Sequence, residues 1–385
     1  MGTKDKIRQL IDGVLKEMGI GGIKYAIEHP ADERRGDFAT NVLMTTGSEF
    51  AEKIVEELRV KSQELGVKKV EVVGGFINIW LKDGYFVEKL GEMEKRGEKV
   101  GESEAMKGKK VLVEYSSPNI AKRFSVGHLR STIIGQALFN LYKANGASVT
   151  NDNHLGDWGT QFGMIIAAVE EQKSNIYHLI SSIEEMEKLY VNYNKRIEED
   201  ETLLEKAREA FARLENGDMG TRGIWQKAYD VSMKDFEELY QKLGVAKFEH
   251  QNGESVYEKM MPAIIKECQE KKIARLSEGA SIVEFPNMPP AILVKSNGTT
   301  TYFTRDLATI RKRLDEADLQ ADLYIYEVGV EQTLHFRQVF SAAKRLWPED
   351  LAKVELVHVA HGRLSLPEGK MSTRKGNTIK LEDLI

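Results

Sequence analysis

The chain of 385 residues has a single cysteine, Cys268, and no apolar run long enough to cross a bilayer. One cysteine cannot form an internal disulfide, and no second cysteine stands at the spacing of a metal site, so a reducing, cytoplasmic compartment is expected. The first residues, MGTKDKIRQLIDG, are typical of an amphipathic helix and not of a secretory signal. We therefore expect neither a membrane protein nor a disulfide-framework protein.

A strong charge of one sign is also lacking. The 55 basic residues stand against 60 acidic ones, for a formal net charge of −5. Any nucleic-acid partner must then be held by local basic patches and not by the overall charge. The composition, 41% hydrophobic and 30% charged, is that of a globular protein with room for two or three domains.

The chain is predicted to hold two domains, residues 1–105 and residues 106–385. The first reads as a small α+β domain, with an opening helix, a second amphipathic helix at about 49–65 and the strand pair KKVEVVGGFINIWL. The polar, glycine-containing stretch at 94–110 is typical of a linker.

The second domain alternates strands with helices. Its predicted strands are VLVEYS, ASVTNDNHL, AILVK, LYIYEVG and ELVHVA. The later runs are almost wholly apolar, as strands covered on both faces must be, which predicts a Rossmann-like, doubly wound parallel sheet. A charged, helical pattern at about 165–290 predicts a long insertion between the two halves of this sheet.

Two loops have the composition of phosphate-binding loops. SPNIAKRFSVGHLRST joins the first strand of this domain to a helix predicted to begin near Gly127 or His128, and a helix N-terminus offers unpaired N–H groups and a positive dipole. Near the C-terminus, the loop at 369–377 carries cations among hydroxyls and glycines, which suits a cover over a triphosphate. An ordinary strand-to-helix connection and a solvated basic turn are the alternatives.

The two loops together resemble a known pair of signatures. SVGH is similar to the HIGH signature and KMSTR to the KMSKS signature of class I aminoacyl-tRNA synthetases, in the same order and with an insertion between them. SPNIAKRFSVGHLRSTIIGQAL, NHLGDWGTQFG, NGTTTYFTRDLA and GDFATN resemble the arginyl-tRNA synthetase family, so the resemblance covers essentially the whole chain.

This resemblance implies an arginine–tRNA ligase that activates L-arginine with ATP and Mg²⁺ and transfers it to the 3′ end of tRNA(Arg). It also implies that the first domain contacts the tRNA, that the insertion borders the acceptor end, and that this chain is a fragment without the helical anticodon-binding domain. No metal site of the protein itself is predicted, and the simplest expectation is a monomer.

A pocket for free arginine needs carboxylates for the guanidinium and acceptors for the ammonium group. Tyr302 and Asp306 lie four residues apart at a predicted helix start, which places them on one face. Glu114 ends a strand at the sheet edge where such folds bind ligands. The resemblance assigns arginine binding to six residues: Glu114, Asn119, His154, Tyr302, Asp306 and Gln332.

The resemblance further assigns ATP binding to Ser125, Gly127, His128, Lys370, Met371 and Ser372, and catalysis to Lys122, Ser125, His128, Lys370 and Arg374. Two positions depart from the family pattern, because Ser125 replaces the first histidine of HIGH and Thr373 the second lysine of KMSKS. Losing one such donor costs about 3 kcal/mol of transition-state stabilisation, and Lys122 or Arg374 could supply the missing charge.

Two alternatives to a ligase stay open. One is another nucleotidyltransferase with an HxGH-type phosphate loop, which would not need an arginine pocket. The other is a non-catalytic tRNA-binding or regulatory paralogue, for which Ser125 and the missing C-terminal domain are the arguments.

Overall fold

The computed structural model of the chain describes residues 2–60, 65–172 and 176–362. It divides into two compact units, Met1–Gly101 and Glu102–Ile385. Within the described residues, none of the helices combines the length and the apolar character that crossing a membrane requires.

The first unit packs helices on one antiparallel sheet. Its helices α1 to α4 span Thr3–Glu17, Val42–Thr46, Ala51–Val60 and Asp83–Arg96, and its strands β1 to β4 span Ile27–Glu28, Phe38–Thr40, Val67–Val73 and Phe76–Leu81. Short 3₁₀ turns lie at Glu33–Arg35, Ser48–Phe50 and Gly97–Lys99.

The sheet of this unit has the order β1-β2-β4-β3, with antiparallel neighbours. The predicted strand pair forms its β3–β4 hairpin, and the linking Gly74 and Gly75 both have positive φ, as a two-residue type I′ turn requires. Ile7 of α1 and Ile54 of α3 are fully buried in the same apolar core as Ile79 of β4. The periodic apolar residues of both helices therefore form the core of the unit.

The second unit contains the parallel sheet and the insertion. Its helices α5 to α14 span Val126–Ala144, Thr160–Gln172, Ile176–Leu179, Ile183–Glu199, Thr202–Glu215, Met219–Lys242, Glu254–Tyr257, Met261–Glu270, Tyr302–Asp315 and Thr333–Leu346. Its strands β5 to β11 span Lys110–Glu114, Ser148–Asp152, Ala274–Ser277, Ala280–Phe285, Met288–Val294, Leu323–Gly329 and Glu355–His361, and a 3₁₀ turn lies at Val330–Gln332.

Four strands form the predicted parallel sheet, in the order β11-β10-β5-β6. From β5 the chain continues through α5 to β6 on one side, and from β10 it continues through α14 to β11 on the other side. The strand order thus reverses between β5 and β10. Ligands of such sheets bind at this reversal, outside the carboxyl ends of the strands.

One predicted strand of this sheet is wrong. AILVK lies in β9, which belongs to a separate antiparallel sheet of order β7-β8-β9. Pro289 and Pro290 explain the position, because a proline cannot donate to a ladder and is tolerated in an edge strand such as β9. The strands β7 and β8 also fall inside the segment predicted as helical, where Glu278 and Gly279 both have positive φ in the turn between them.

The other part of the insertion is helical. Phe162 of α6, Tyr193 of α8 and Phe236 of α10 are buried in one apolar cluster that also includes Val113 of β5. The helices α6 and α9 approach closely, since a Cβ at Gly163 would lie 2.0 Å from the Ala207 carbonyl oxygen. The helical insertion and the parallel sheet therefore share a core.

Candidate active site

The loop that follows β5 is held in an unusual backbone conformation. Ser116, Ser117 and Ala121 all have positive φ, at 73°, 47° and 64°. Such residues cost of order 1 kcal/mol or more each and persist only where the surroundings enforce them. Side chains from three other elements do so here: the N–H groups of Ser116, Ser117 and Ala121 donate to Ser131 Oγ at 3.1 Å, Asn153 Oδ1 at 3.1 Å and Ser232 Oγ at 2.9 Å.

The helix α5 begins at Val126, one or two residues before the predicted start, with Ser125 as its N-cap. His128 folds back on this cap, and its Nδ1 accepts the Ser125 N–H at 3.0 Å, with Ser125 Oγ at 3.1 Å. Gly127 leaves the helix end open, because a Cβ there would approach only Ser125 Oγ, at 3.4 Å. The predicted ATP-binding residues of this loop thus surround an accessible helix N-terminus.

His128 is neutral at physiological pH. Burial, and to a lesser extent the charge of Lys122, lowers the pKa of its imidazole to about 4. Since Nδ1 accepts the hydrogen bond from Ser125, the ring proton stands on Nε2. His128 can therefore donate a hydrogen bond to a phosphate oxygen but brings no positive charge.

The cations of the loop are placed by the insertion. Lys122 Nζ lies 5.7 Å from the centroid of the Tyr190 ring on α8. Arg123 makes ion pairs of 2.9 Å with both Glu184 and Glu187 on the same helix. Of the two cations, Lys122 is the one whose charge lowers the pKa of His128.

Glu114 stands at the carboxyl end of β5 and is engaged inside the protein. Its Oε2 makes a short contact with Arg313, whose side chain is 1% exposed. The same guanidinium lies 2.7 Å from Asp152 at the end of β6 and 5.1 Å from the ring of Tyr326 on β10. Arg313, which the sequence did not mark, joins the carboxyl ends of β5 and β6 and contacts the middle of β10.

Asn119 and His154 are brought together because they follow the neighbouring strands β5 and β6. Asn119 pairs with Gly156 in a strand-like bridge, and a Cβ at Gly156 would lie 2.3 Å from Asn119 Oδ1. The His154 ring stacks on Tyr257 at 5.3 Å between centroids. Its buried Nδ1 has no hydrogen-bond partner within the described ranges.

Tyr302 and Asp306 begin α13, as predicted. Tyr302 is 68% exposed, and Asp306 is half-buried in a close contact with His335 Nε2. Gln332 is exposed at the end of the turn after β10, three residues before His335, and its side chain forms no hydrogen bond with the described part of the chain. The structure therefore places Asp306 beside α14, whereas Gln332 is the exposed N-cap of that helix.

A further carboxylate, missed by sequence reasoning, is acted on by the charge of Asp306. Glu254 opens α11, and burial raises its pKa to about 7. The charges of Arg305 and His154 lower this pKa, and that of Asp306 raises it. The signal in the sequence was a pair of glutamates four residues apart, Glu254 and Glu258, opposite an arginine next to Asp306, but only the fold shows that they meet.

The segment that carries Glu254 runs alongside the residues that follow β6. Three backbone hydrogen bonds join the two segments: Asn153 N–H to His250 at 3.0 Å, Leu155 N–H to Asn252 at 3.2 Å, and Glu254 N–H to Leu155 at 3.0 Å. Asp157 accepts from both the N–H and the hydroxyl of Ser255, at 2.8 and 2.6 Å. The segment GDWG thereby fixes the turn on which Glu254 stands.

The second predicted loop, with Lys370, Met371, Ser372, Thr373 and Arg374, lies outside the described residues. The strand that leads to it, β11, ends at His361, whose Nδ1 lies 2.8 Å from the buried Glu327 of β10. Arg130 of α5 donates to the carbonyl of Gly362 at 2.6 Å. The described chain thus ends beside the helix of the first loop.

The parallel sheet is interrupted by an insertion, and an open helix N-terminus lies where its strand order reverses. This is the architecture of a class I aminoacyl-tRNA synthetase. Residues 92–385 match the family described as "tRNA synthetases class I (R), catalytic domain", and residues 5–81 match "Arginyl tRNA synthetase N terminal domain". The chain belongs to the arginyl-tRNA synthetase family.

Curated relatives agree with this assignment. The chain is 37% identical over 393 residues to an arginine–tRNA ligase from Clostridium botulinum and 39% identical over 361 residues to one from Chloroflexus aggregans. These alignments cover 100% and 92% of this chain but 68% and 62% of the relatives. The chain therefore spans about two thirds of their length.

Solved structures show the same fold. Arginyl-tRNA synthetase from Plasmodium falciparum has a TM-score of 0.73 at 26% identity, over 93% of this chain and 65% of that one. The enzyme from Thermus thermophilus also has a TM-score of 0.73, at 21% identity, over 99% of this chain and 68% of that one.

Proposed function

We propose that this chain carries the active site of an arginine–tRNA ligase, which activates L-arginine with ATP to arginyl-adenylate and transfers the arginyl group to the 3′ end of tRNA(Arg). The observation that carries the proposal is the cluster of charged groups at the start of α13, where Arg305, the residue before Asp306, has Nη1 3.6 Å from Glu254 and Cζ 5.4 Å from the centroid of the exposed Tyr302 ring. Two carboxylates and an aromatic face suit a planar cation with five donors.

The substrate arginine is proposed to lie across the carboxyl edge of the sheet. Glu254 and Asp306 receive the guanidinium, and Tyr302 covers the aliphatic stem. Glu114, Asn119, His154 and Gln332 bind the ammonium and carboxylate end. For Glu114 this leaves the carboxylate oxygen that is not paired with Arg313.

The first chemical step is an in-line displacement. A carboxylate oxygen of arginine attacks the α-phosphorus of ATP, the bond to the β-phosphate oxygen breaks, and pyrophosphate leaves. The N-terminus of α5, with Ser125, Gly127 and neutral His128, is proposed to bind the phosphates, and Lys122 to supply positive charge.

In the second step, a hydroxyl of the terminal tRNA ribose attacks the arginyl carbonyl and AMP leaves. Catalysis of both steps then rests on positioning and charge stabilisation. Lys370, Met371, Ser372 and Arg374 are proposed to close over ATP, and Mg²⁺ to enter as its complex with ATP.

The proposed partners follow from membership of the arginyl-tRNA synthetase family. The N-terminal domain, residues 1–105, is proposed to contact tRNA, and the catalytic domain, residues 106–385, to act as a monomer in the cytoplasm.

The test is ATP–pyrophosphate exchange, measured with arginine in the presence and absence of tRNA(Arg). We expect exchange with arginine and none with lysine, and His128→Ala should lower it at least tenfold because a donor to the phosphates is lost. His178→Ala, at an exposed histidine of α7, is the control.

Two results would favour the other functions. Exchange that proceeds without any dependence on arginine indicates another nucleotidyltransferase. Binding of tRNA with no exchange under any condition indicates a non-catalytic paralogue. Unchanged exchange in His128→Ala would show that the phosphates do not bind at the N-terminus of α5.

A further inference from the structure

A guanidinium of the protein itself lies among the groups proposed for the substrate guanidinium. Arg305, the residue before Asp306, has Nη1 3.6 Å from Glu254 and Nη2 2.7 Å from Glu258. Its Cζ lies 5.4 Å from the centroid of the Tyr302 ring. The side chain is 13% exposed, so these contacts are made largely out of water.

The contacts of Arg305 differ from an ordinary surface ion pair because they are mostly buried. An exposed pair contributes little, because water screens it. Here Glu254 is 12% exposed, and the charged groups that act on it are Arg305, His154, Asp306 and Asp157. Of these, the arginine is the one permanent cation, and it favours the ionised carboxylate against burial and two neighbouring acids.

We propose that Arg305 is a positioning residue that determines specificity: it fixes the Glu254 carboxylate so that Glu254 and Asp306 together receive the guanidinium of the substrate. This inference rests on the proposed function and adds a residue that need not touch the reacting atoms. Without Arg305, a second carboxylate beside Asp306 gains a proton more readily, and the pocket offers the substrate one charge in place of two.

The planar fork matters as well as the charge. Arg305 reaches two carboxylates and also lies against an aromatic ring, which a lysine ammonium cannot do at once. A lysine in its place supplies the charge alone. The conservative variant therefore separates the electrostatic part of the effect from the geometric part.

The experiment is calorimetric titration of this chain with arginine between pH 6 and pH 9. Affinity in the wild type should fall as the pH drops through about 7, the pKa of Glu254, because a protonated carboxyl no longer pairs with guanidinium. Arg305→Gln should move this midpoint to higher pH, and a rise of about one pKa unit would weaken binding about fivefold at pH 7, since the ionised fraction of Glu254 falls from about one half to about one eleventh.

Three further variants make the result specific. Arg305→Lys should return the midpoint toward that of the wild type, and Glu254→Gln should remove the pH dependence. Arg311→Gln is the matched control, because Arg311 lies on the same helix and pairs with Asp315 and Asp350 away from the pocket. It should leave both the midpoint and the affinity unchanged.

Two outcomes would overturn the inference while the proposed function stands. Equal loss of affinity at every pH in Arg305→Gln, with the midpoint unmoved, means that Arg305 serves only the fold. Tighter binding in that variant means that Arg305 competes with the substrate. A wild type that binds no arginine at any pH would instead overturn the proposed function, and the role of Arg305 with it.

Discussion

His128 shows how one side chain serves both the fold and the proposed chemistry. It closes the N-terminus of α5 through Ser125, and its low pKa keeps it neutral there. A protonated imidazole would lose the hydrogen bond that Nδ1 accepts. The histidine therefore behaves as a neutral cap of the helix end.

This predicts a stability that depends on pH. The pKa of His128 is about 4 in the folded state against 6.5 when unfolded, so below pH 6.5 the unfolded chain binds more protons and stability falls until about pH 4. Relative to His128→Gln, the wild type should lose on the order of 3 kcal/mol across this window, as measured by urea unfolding.

The comparison with a variant is needed because Glu254 titrates with the opposite sign. Its raised pKa makes the folded state lose stability as the pH rises from 4.5 to about 7. This contribution is common to wild type and His128→Gln, so it cancels in the difference. A difference that stays constant from pH 7 to pH 4 would mean that His128 is protonated alike in both states.

Asp306 allows the choice of amino acid to be tested. Arginine should bind, whereas citrulline and lysine should not, because the first lacks the charge and the second lacks the planar fork. Asp306→Asn should remove most arginine binding, by calorimetry, at a cost of about 1 kcal/mol in stability for a carboxylate near a helix start. Citrulline binding as tightly as arginine would exclude Asp306 from the site.

The residues of the site differ in how well the sequence alone predicts their position. Ser125 and His128 stand in a short motif at a strand-to-helix junction, so their placement followed from local pattern. Arg313 gave no such signal, since its partner Glu114 is 199 residues away. A buried ion pair of this kind is encoded by two distant positions at once.

At the level of segments, the turn before α11 decides where a carboxylate of the pocket stands. Gly253 allows it, because a Cβ there would lie 2.1 Å from Asp157 Oδ2. Asp157 in turn holds Ser255 through two hydrogen bonds. The insertion thus supplies part of the site through a backbone that runs beside the residues following β6.

Gly253→Ala is therefore expected to lower arginine affinity at least tenfold, since it forces Asp157 off Ser255 and shifts Glu254. Gly223→Ala in α10 is the control, because a Cβ there meets no atom within 4 Å and should stabilise the helix by up to about 1 kcal/mol. Calorimetric titration with arginine measures the first effect and thermal unfolding the second. Unchanged arginine affinity in Gly253→Ala would show that Glu254 does not depend on this turn.

For the molecule as a whole, the two compact units suggest a division of labour. We expect deletion of residues 2–101 to raise the KM for tRNA while the affinity for arginine stays within a factor of two, because the candidate pocket draws its residues from the second unit. Aminoacylation kinetics and calorimetry measure the two quantities. Loss of arginine affinity with tRNA KM unchanged would place the pocket elsewhere.

Local pattern was sufficient for much of the architecture. Apolar, β-branched runs predicted the four strands of the parallel sheet, and the strand-to-helix loop predicted a helix N-terminus that Gly127 leaves open. These features depend on neighbours in the chain, where backbone conformation and hydrogen bonding are set within a few residues. AILVK shows the limit, because an apolar run looks alike in a parallel sheet and in an antiparallel edge strand.

The charged lining of the pocket depends on packing across the fold. Glu258 meets Arg305 across 47 residues, and Asp157 meets Ser255 across 98. Burying such groups is costly unless each finds a partner of the right geometry, and those partners come from different elements brought to one sheet edge. No local pattern specifies these pairings, so the strand order and the path of the insertion decide which carboxylates are left to face a substrate.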